Sequence, residues 1–188
     1  MAKIGSNTVP SWLKEPLATG IMLLTQPAQV CGARVSLKSF LRQNWSNREL
    51  LILNTTSVPV RKWWMRNVRE IVIRCSNAHM LLPLAFDNSF GEWCVEWRTD
   101  CYYEPDYLGE HLKHADKRRL ALFRNFQVYA LSSGKTYHAF SGDLMFWSAY
   151  RYYSADFSQP LDQLFPDVRR VDNAPSLLTR YVKDVVQA

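Results

Sequence analysis

Four short apolar runs constrain the fold of this chain more than any other feature of its sequence. They are separated by segments with helical periodicity or turn residues, and they lie at residues 21–25, 50–53, 71–74 and 94–97. Residues 34–43 carry their apolar side chains on one helical face, and residues 60–67 and 79–86 also favour helices. This alternation predicts an α/β fold with a largely parallel central sheet. Because the runs are continuously apolar, helices should cover both faces of the sheet, which gives a helix/sheet/helix sandwich.

The chain of 188 residues is long enough for one well-buried domain. Residues 1–18 contain two prolines and few periodic apolar positions, so we expect an extended lead-in followed by a single domain over residues 19–188. No apolar run approaches the length of a membrane span, and the first twenty residues lack the pattern of a signal peptide. The four cysteines form no CxxC pair, and a reducing, cytoplasmic location is expected.

The charge balance favours a polyanionic partner. Lysine and arginine total 23 against 17 acidic residues, a net charge of +6. Such a charge suits nucleotide phosphates, nucleic acid or an anionic membrane surface, and a purely solubilising role is the alternative. Aromatic residues make up 13% of the chain. They could stack on a base or sugar, or form a thick core.

Two ordered sequence blocks resemble the family 2 glycosyltransferases with the GT-A fold. The first block, LKSFLRQNWSNRELLILNTTS at residues 37–57, is similar to the family's first helix and second strand. Gln43, Trp45, Glu49, Leu50 and Ser57 occupy the places of the family's helix-ending glutamine, aromatic turn, Glu-Leu pair and loop glycine. The second block, GEWCVEWRTDCYYEPDYLGEHL at residues 91–112, resembles the segment with a Gly-Glu pair, a DxD-type acidic motif and Pro-Asp-Tyr-Leu.

The resemblance implies a nucleotide-sugar donor bound at the carboxyl ends of the parallel strands. In the family, the acidic motif holds Mn²⁺ or Mg²⁺ against the donor diphosphate, and the cation assists the leaving group. Placed on this chain, the resemblance gives Gln26, Asn54, Thr55, Arg98 and Asp100 as donor-contacting residues, with Asp100 as the metal ligand. A carboxylate acts as the base towards the acceptor hydroxyl, and Asp162 and Asp143 compete for that role.

The chain departs from the family pattern at its acids. Arg98 stands where the first acid of the DxD motif is expected, and Asn54-Thr55-Thr56-Ser57 replaces two acids and a glycine. Divalent-cation binding should therefore be weakened. Arg98 could pair with the diphosphate directly, or form a salt bridge with Asp100 that disables metal binding.

The resemblance therefore predicts that the protein transfers a sugar from a nucleotide-sugar donor to an unidentified acceptor. One alternative is a catalytically inactive GT-A-like module that binds a nucleotide or a partner, which the changed acids favour. A second alternative is a sugar transferase acting on modified nucleic acid, which the net charge of +6 favours.

Overall fold

The computed structural model describes residues 15–74 and 80–113, together with the backbone of strands at 120–124, 127–130, 135–138, 145–150, 168–172 and 179–181. Strands and helices alternate along much of the first part of the chain, although its second and third strands follow each other without a helix between them. Its strands are β1 (Ala18–Leu24), β2 (Arg48–Asn54), β3 (Val68–Val72) and β4 (Trp93–Glu96). Its helices are α1 (Val30–Leu41), which follows a short 3-10 turn at Pro27–Gln29, α2 (Leu81–Asn88) and α3 (Tyr107–Lys113). The further strands are β5 (Cys101–Tyr102), β6 (Leu120–Arg124), β7 (Gln127–Ala130), β8 (Lys135–His138), β9 (Met145–Tyr150), β10 (Val168–Asp172) and β11 (Thr179–Tyr181).

The four strands predicted from the apolar runs lie in one sheet, as expected. The described sheet has seven strands in the order β10-β6-β9-β4-β1-β2-β3, and β4, β1, β2 and β3 are parallel neighbours. The chain runs outward from β1 through β2 to β3, and then returns to place β4 on the other side of β1. This reversal makes the β1/β4 boundary a topological switch point, where open α/β sheets commonly bind ligands.

The remaining strands extend this sheet and form a second one. Strand β9 is antiparallel to both β4 and β6, while β10 is parallel to β6. The second sheet has the order β5-β11-β7-β8, and β7 and β8 pair antiparallel in it.

Both faces of the parallel sheet are covered, which explains the continuous apolar runs. Met22 and Ile52 point to the face that packs against Phe40 of α1. Ile21 and Leu51 point to the opposite face and pack with α2. Successive side chains of a strand alternate between faces, so each run supplies two cores at once. The helix/sheet/helix sandwich is confirmed.

The prediction of a helix at residues 60–67 is wrong, because this segment consists of turns and irregular backbone. The Glu70 carboxylate accepts hydrogen bonds from the backbone N–H groups of Val60 and Arg61, at 3.1 and 2.8 Å. Just before this segment Ser57 has a φ of 65°, in the left-handed region that favours glycine. Tertiary hydrogen bonding and this turn override the local helical preference.

None of the helices in the described ranges is long and apolar enough to cross a membrane.

Candidate functional site

A cavity of about 260 Å³ opens at the switch point between β1 and β4. Ile21 and Leu23 of β1 and Leu82 of α2 form part of its wall. The polar part of the lining comes mainly from the end of β4 and the loop that follows it, and it consists of Gln29, Glu96, Arg98, Thr99 and Asp100. Arg98 and Asp100, both predicted from the sequence, are therefore brought together at the carboxyl edge of the sheet.

The loop after β4 is fixed from two directions. Trp97 N–H donates to the Ile21 carbonyl at 2.9 Å, which continues the ladder between β4 and β1. The Ser36 hydroxyl of α1 donates to the Arg98 carbonyl at 2.7 Å, and Arg98 N–H donates to the Tyr103 hydroxyl. Because both backbone polar groups of Arg98 are bonded, the start of its side chain is held in one position.

Helix α1 approaches this loop closely enough to require glycine. A Cβ atom at Gly32 would lie 2.5 Å from the Thr99 carbonyl oxygen, a backbone atom that cannot swing aside. The missing side chain lets α1 pack directly on the segment between Arg98 and Asp100.

Arg98 and Asp100 form a two-pronged ion pair within the cavity lining. Arg98 Nε donates to Asp100 Oδ1 and Arg98 Nη2 donates to Asp100 Oδ2, both at 2.9 Å. The two side chains are 27% and 28% exposed, so the pair is partly open to solvent. A salt bridge with Asp100 was one of the two roles that the sequence suggested for Arg98, and the structure shows that this salt bridge forms.

The ion pair shifts the pKa values of both groups. Burial alone raises the pKa of the Asp100 carboxyl, but the hydrogen bonds and charge of Arg98 outweigh it and hold the pKa below its ordinary value. The hydrogen bonds to Asp100 are the main reason that the pKa of Arg98 is raised. Both groups are therefore charged throughout the neutral range.

This donor set does not fit a divalent cation well. Both oxygens of Asp100 accept from Arg98, and Cys101 Sγ also donates to Oδ1 at 3.4 Å. Among the residues described, no group of three or more His, Cys, Asp or Glu side chains could share an ion. Hard cations need several anionic oxygens, whereas Asp100 is already neutralised by a fixed guanidinium.

Asn54 lies at the carboxyl end of β2, on the same edge of the sheet, but it does not line the cavity. The side chain is fully buried, and its Nδ2 donates to the Val58 carbonyl at 2.8 Å and to Glu70 Oε1 at 2.6 Å. Its Oδ1 accepts from the backbone N–H and the hydroxyl of Thr56, both at 2.8 Å. These bonds use the donors and acceptor of the amide, so Asn54 organises the loop after β2. Its contact with a donor base stays a prediction.

Gln26 and Thr55 also lie at the carboxyl edge, outside the cavity lining. Thr55 N–H donates to the Leu24 carbonyl at 2.9 Å and so ties the end of β2 to β1. Gln26 is exposed, and its N–H donates to Gln29 Oε1 at 3.0 Å. Gln29 lines the cavity and was missed in the sequence. The sequence signal that could have identified Gln29 as a lining residue is its position three residues after Gln26, at the start of α1.

Asp143 and Asp162, the two candidate bases, lie outside the described residues. Their roles stay predictions.

The aromatic side chains after β4 form a core, not a stacking platform. Trp97, Tyr103 and Tyr107 are almost completely buried, with ring centroids of Trp97 and Tyr103 4.0 Å apart. His111 of α3 is also fully buried, with its ring centroid 4.2 Å from that of Tyr107. Burial raises the pKa of both tyrosines well above the ordinary value. This cluster supports the loop that carries Arg98.

No protein-family model matches the sequence, and no curated protein matches it either. Among solved structures, the chain is similar to the mannosyltransferase PcManGT from Pyrobaculum calidifontis, determined in complex with GDP-Man and Mn²⁺. The TM-score is 0.61 at 14% identity, over 92% of this chain and 61% of that one. The S. aureus TarS 1-349 structure matches at a TM-score of 0.47 and 13% identity, over 61% of this chain and 36% of that one.

The chain thus spans less than two thirds of the length of these structures. The likeness to PcManGT shows that the chain has the fold of GT-A-type glycosyltransferases.

Proposed function

We propose that the protein is a divergent family 2 glycosyltransferase that moves a sugar from a nucleotide-sugar donor to an acceptor hydroxyl. The observation that carries this proposal is the Arg98–Asp100 pair in a cavity at the switch point of a glycosyltransferase-like sheet. The two ordered sequence blocks support the same family. The bound GDP-Man of PcManGT suggests the class of donor. A cytoplasmic location, expected from the sequence, is part of this proposal.

The donor diphosphate is the group that Arg98 suits. Its guanidinium is planar, permanently charged and oriented by Asp100 within the cavity lining. When the bond between the sugar and the diphosphate breaks, negative charge grows on the leaving diphosphate oxygens. A fixed guanidinium close to those oxygens stabilises that charge without waiting for solvent to reorganise. Donor binding should therefore depend only weakly on Mn²⁺ or Mg²⁺.

The acceptor hydroxyl must lose a proton as it attacks the sugar. Asp162 or Asp143 is proposed as the carboxylate base that takes this proton. Thr55 and Gln26 are proposed to lie along the donor, at the carboxyl edge beside the cavity, and Asn54 is proposed to hold the loop after β2 that borders it.

A binding module without transferase activity is the second candidate. The observation that favours it is the same ion pair, because Arg98 neutralises the only acid that the degraded DxD motif keeps. In that case the protein would hold a nucleotide diphosphate but leave the donor intact.

Two measurements test the proposal. Thermal-shift titrations with UDP, GDP, UDP-GlcNAc and GDP-Man, each in EDTA and in Mn²⁺, report binding. Release of nucleoside diphosphate from a bound sugar donor, followed with and without candidate acceptors, reports turnover. Stabilisation together with release supports a transferase, and stabilisation without release supports the binding module. If no nucleotide or nucleotide sugar raises the melting temperature under either condition, the donor-site proposal is wrong.

A further inference from the structure

Two adjacent tryptophans project from the crossover between β2 and β3. Trp63 is 89% exposed and Trp64 is 51% exposed, although tryptophan normally buries most of its large apolar surface. Both lie at a turn within residues 61–66, RKWWMR, which we call the tryptophan turn.

The exposure is built into a well-anchored turn. Met65 and Val60 are buried in the core under α1, with 6% and 4% of their surface exposed. Arg61 Nε donates to the Val68 carbonyl at 2.6 Å, and the Arg61 N–H donates to the Glu70 carboxylate. Because the residues on both sides are fixed, the two indoles are held outward by the fold.

Cationic residues flank the two indoles in the sequence. The tryptophan turn contains Arg61, Lys62 and Arg66, all exposed, and no acidic residue. The nearest acid in the sequence, Glu70, has its carboxylate occupied by backbone N–H groups and by Asn54. The exposed end of this turn is therefore both aromatic and strongly cationic.

We propose that the tryptophan turn docks the protein on an anionic phospholipid surface. Indole rings favour the headgroup region of a bilayer, where an apolar body and a polar N–H are both satisfied. Lysine and arginine beside them are attracted to anionic headgroups, and the two contributions act together. This peripheral contact goes beyond the proposed transferase function and does not depend on it.

The shape of the turn favours a lipid surface over a single-stranded nucleic acid. Aromatic platforms that stack bases lie along a groove that follows the phosphate backbone. Trp63, at 89% exposure, has little protein beside it among the described residues. A projecting tip is instead suited to insert among headgroups.

Docking would leave the candidate donor site accessible. The turn leads into the amino end of β3, where the Asn67 carbonyl accepts from Leu50 N–H near the start of β2. The cavity lies at the carboxyl ends of β1 and β4. Strands of this length separate the two edges by roughly 15–20 Å.

Sedimentation of the full chain with vesicles tests the proposal. The vesicles are phosphatidylcholine alone, or phosphatidylcholine with about 30% phosphatidylglycerol, at low and high salt. Trp63→Ala/Trp64→Ala should weaken binding to the anionic vesicles by more than about tenfold. Lys62→Gln/Arg66→Gln should weaken it by about thirtyfold, since each cation near such a surface contributes roughly fivefold.

Matched variants separate the turn from general charge and apolarity. Arg34→Gln/Lys38→Gln removes two exposed cations from α1, and Met80→Ala removes an apolar side chain that is 57% exposed. Both should bind anionic vesicles nearly as well as the parent. Circular dichroism and thermal melting check that every variant is folded.

Three outcomes would overturn the proposal. The first is that the parent does not sediment with anionic vesicles at low salt. The second is that the α1 variant loses as much binding as the turn variants, which would show that vesicle binding depends on the net charge of the protein and not on the tryptophan turn. The third is that vesicle binding is absent while the tryptophans are required for binding an oligonucleotide or for self-association, which would give the turn another partner.

Discussion

Arg98 and Asp100 orient each other inside the candidate donor cavity. Their two parallel hydrogen bonds, each 2.9 Å, fix the plane of the guanidinium relative to the loop. Since the pair sums to nearly zero charge, it attracts a divalent ion less than two carboxylates would. A diphosphate, in contrast, meets an arginine that is already held in place.

Arg98→Ala should abolish most nucleotide binding. Loss of a charge-assisted contact to phosphate oxygens should weaken the affinity for a nucleoside diphosphate by roughly 10- to 100-fold. Isothermal titration calorimetry in EDTA and then in Mn²⁺ measures this, with Arg34→Ala on α1 as the control. The parent should bind in EDTA almost as tightly as in Mn²⁺. Strict Mn²⁺ dependence, with Arg98→Ala binding as well as the parent, would show that the arginine does not replace the cation.

The stability contributed by Asp100 should disappear in acid. Its pKa in the folded protein is below the ordinary value of about 3.9, so on acidification the unfolded state takes up the proton first. The contribution is complete above about pH 5 and is lost as the pH falls through the folded pKa. Compared with Asp100→Asn, the parent should be more stable by about 1 kcal/mol at pH 7. Urea unfolding at several pH values measures this, and a difference that grows below about pH 4 would contradict it.

At the scale of elements, the packing of α1 on the loop after β4 links the fold to the site. Ser36 bonds the Arg98 carbonyl, and Gly32 lies against the Thr99 carbonyl. The helix therefore determines where the backbone between Arg98 and Asp100 can lie.

Gly32→Ala should displace this loop. The new methyl group would lie 2.5 Å from a backbone oxygen, and relief of the clash should cost about 1–3 kcal/mol of unfolding free energy. Nucleotide affinity should fall as well, because Arg98 and Asp100 move with Thr99. Urea unfolding and calorimetry measure the two effects.

Gly109→Ala in α3 is the matched control. A Cβ there meets nothing closer than Trp45 Cε3 at 3.9 Å, and alanine favours a helix, so stability should rise by up to about 1 kcal/mol. Equal effects of the two substitutions would mean that the contact between Gly32 and Thr99 is unimportant.

The strands were predictable from the sequence because burial on both faces leaves a continuous apolar run. The crossover at residues 60–67 was not, because its conformation depends on Glu70, whose carboxylate reaches back from β3 to Val60. Val60, Trp64 and Asn67 are spaced like residues on one face of a helix, so the local sequence is compatible with a helix. The competing hydrogen-bond acceptor, the Glu70 carboxylate, comes close to Val60 only in the folded chain.

The candidate site was predictable in part for the same reason. Arg98 and Asp100 follow a recognisable strand and so fall at the sheet edge. Gln29 was missed, since its place in the cavity depends on the 3-10 turn that precedes α1. Asn54 was placed at the correct edge, but the sequence does not reveal that Val58, Thr56 and Glu70 occupy its amide.

At the scale of the whole molecule, β4 joins two parts of the seven-stranded sheet. It is parallel to β1 on one side and antiparallel to β9 on the other. Val95 of β4 pairs with Gly20 and with Ser148, and its own side chain is fully buried in the core under α1. A single strand that bonds to both parts couples their unfolding, so residues 19–188 should behave as one domain.

Val95→Ala should therefore lower the melting temperature of a single unfolding transition that involves the whole chain. Removing two buried methyl groups should cost about 2 kcal/mol, which for a chain of this length lowers the melting temperature by about 4–8 °C. Val72→Ala on β3, where valine is 57% exposed, is the control and should change stability by less than about 1 kcal/mol. Far-UV and near-UV circular dichroism should melt together in the parent and in both variants. Two separate transitions, of which Val95→Ala shifts only one, would show that β4 does not couple the parts of the sheet and that the chain holds more than one folding unit.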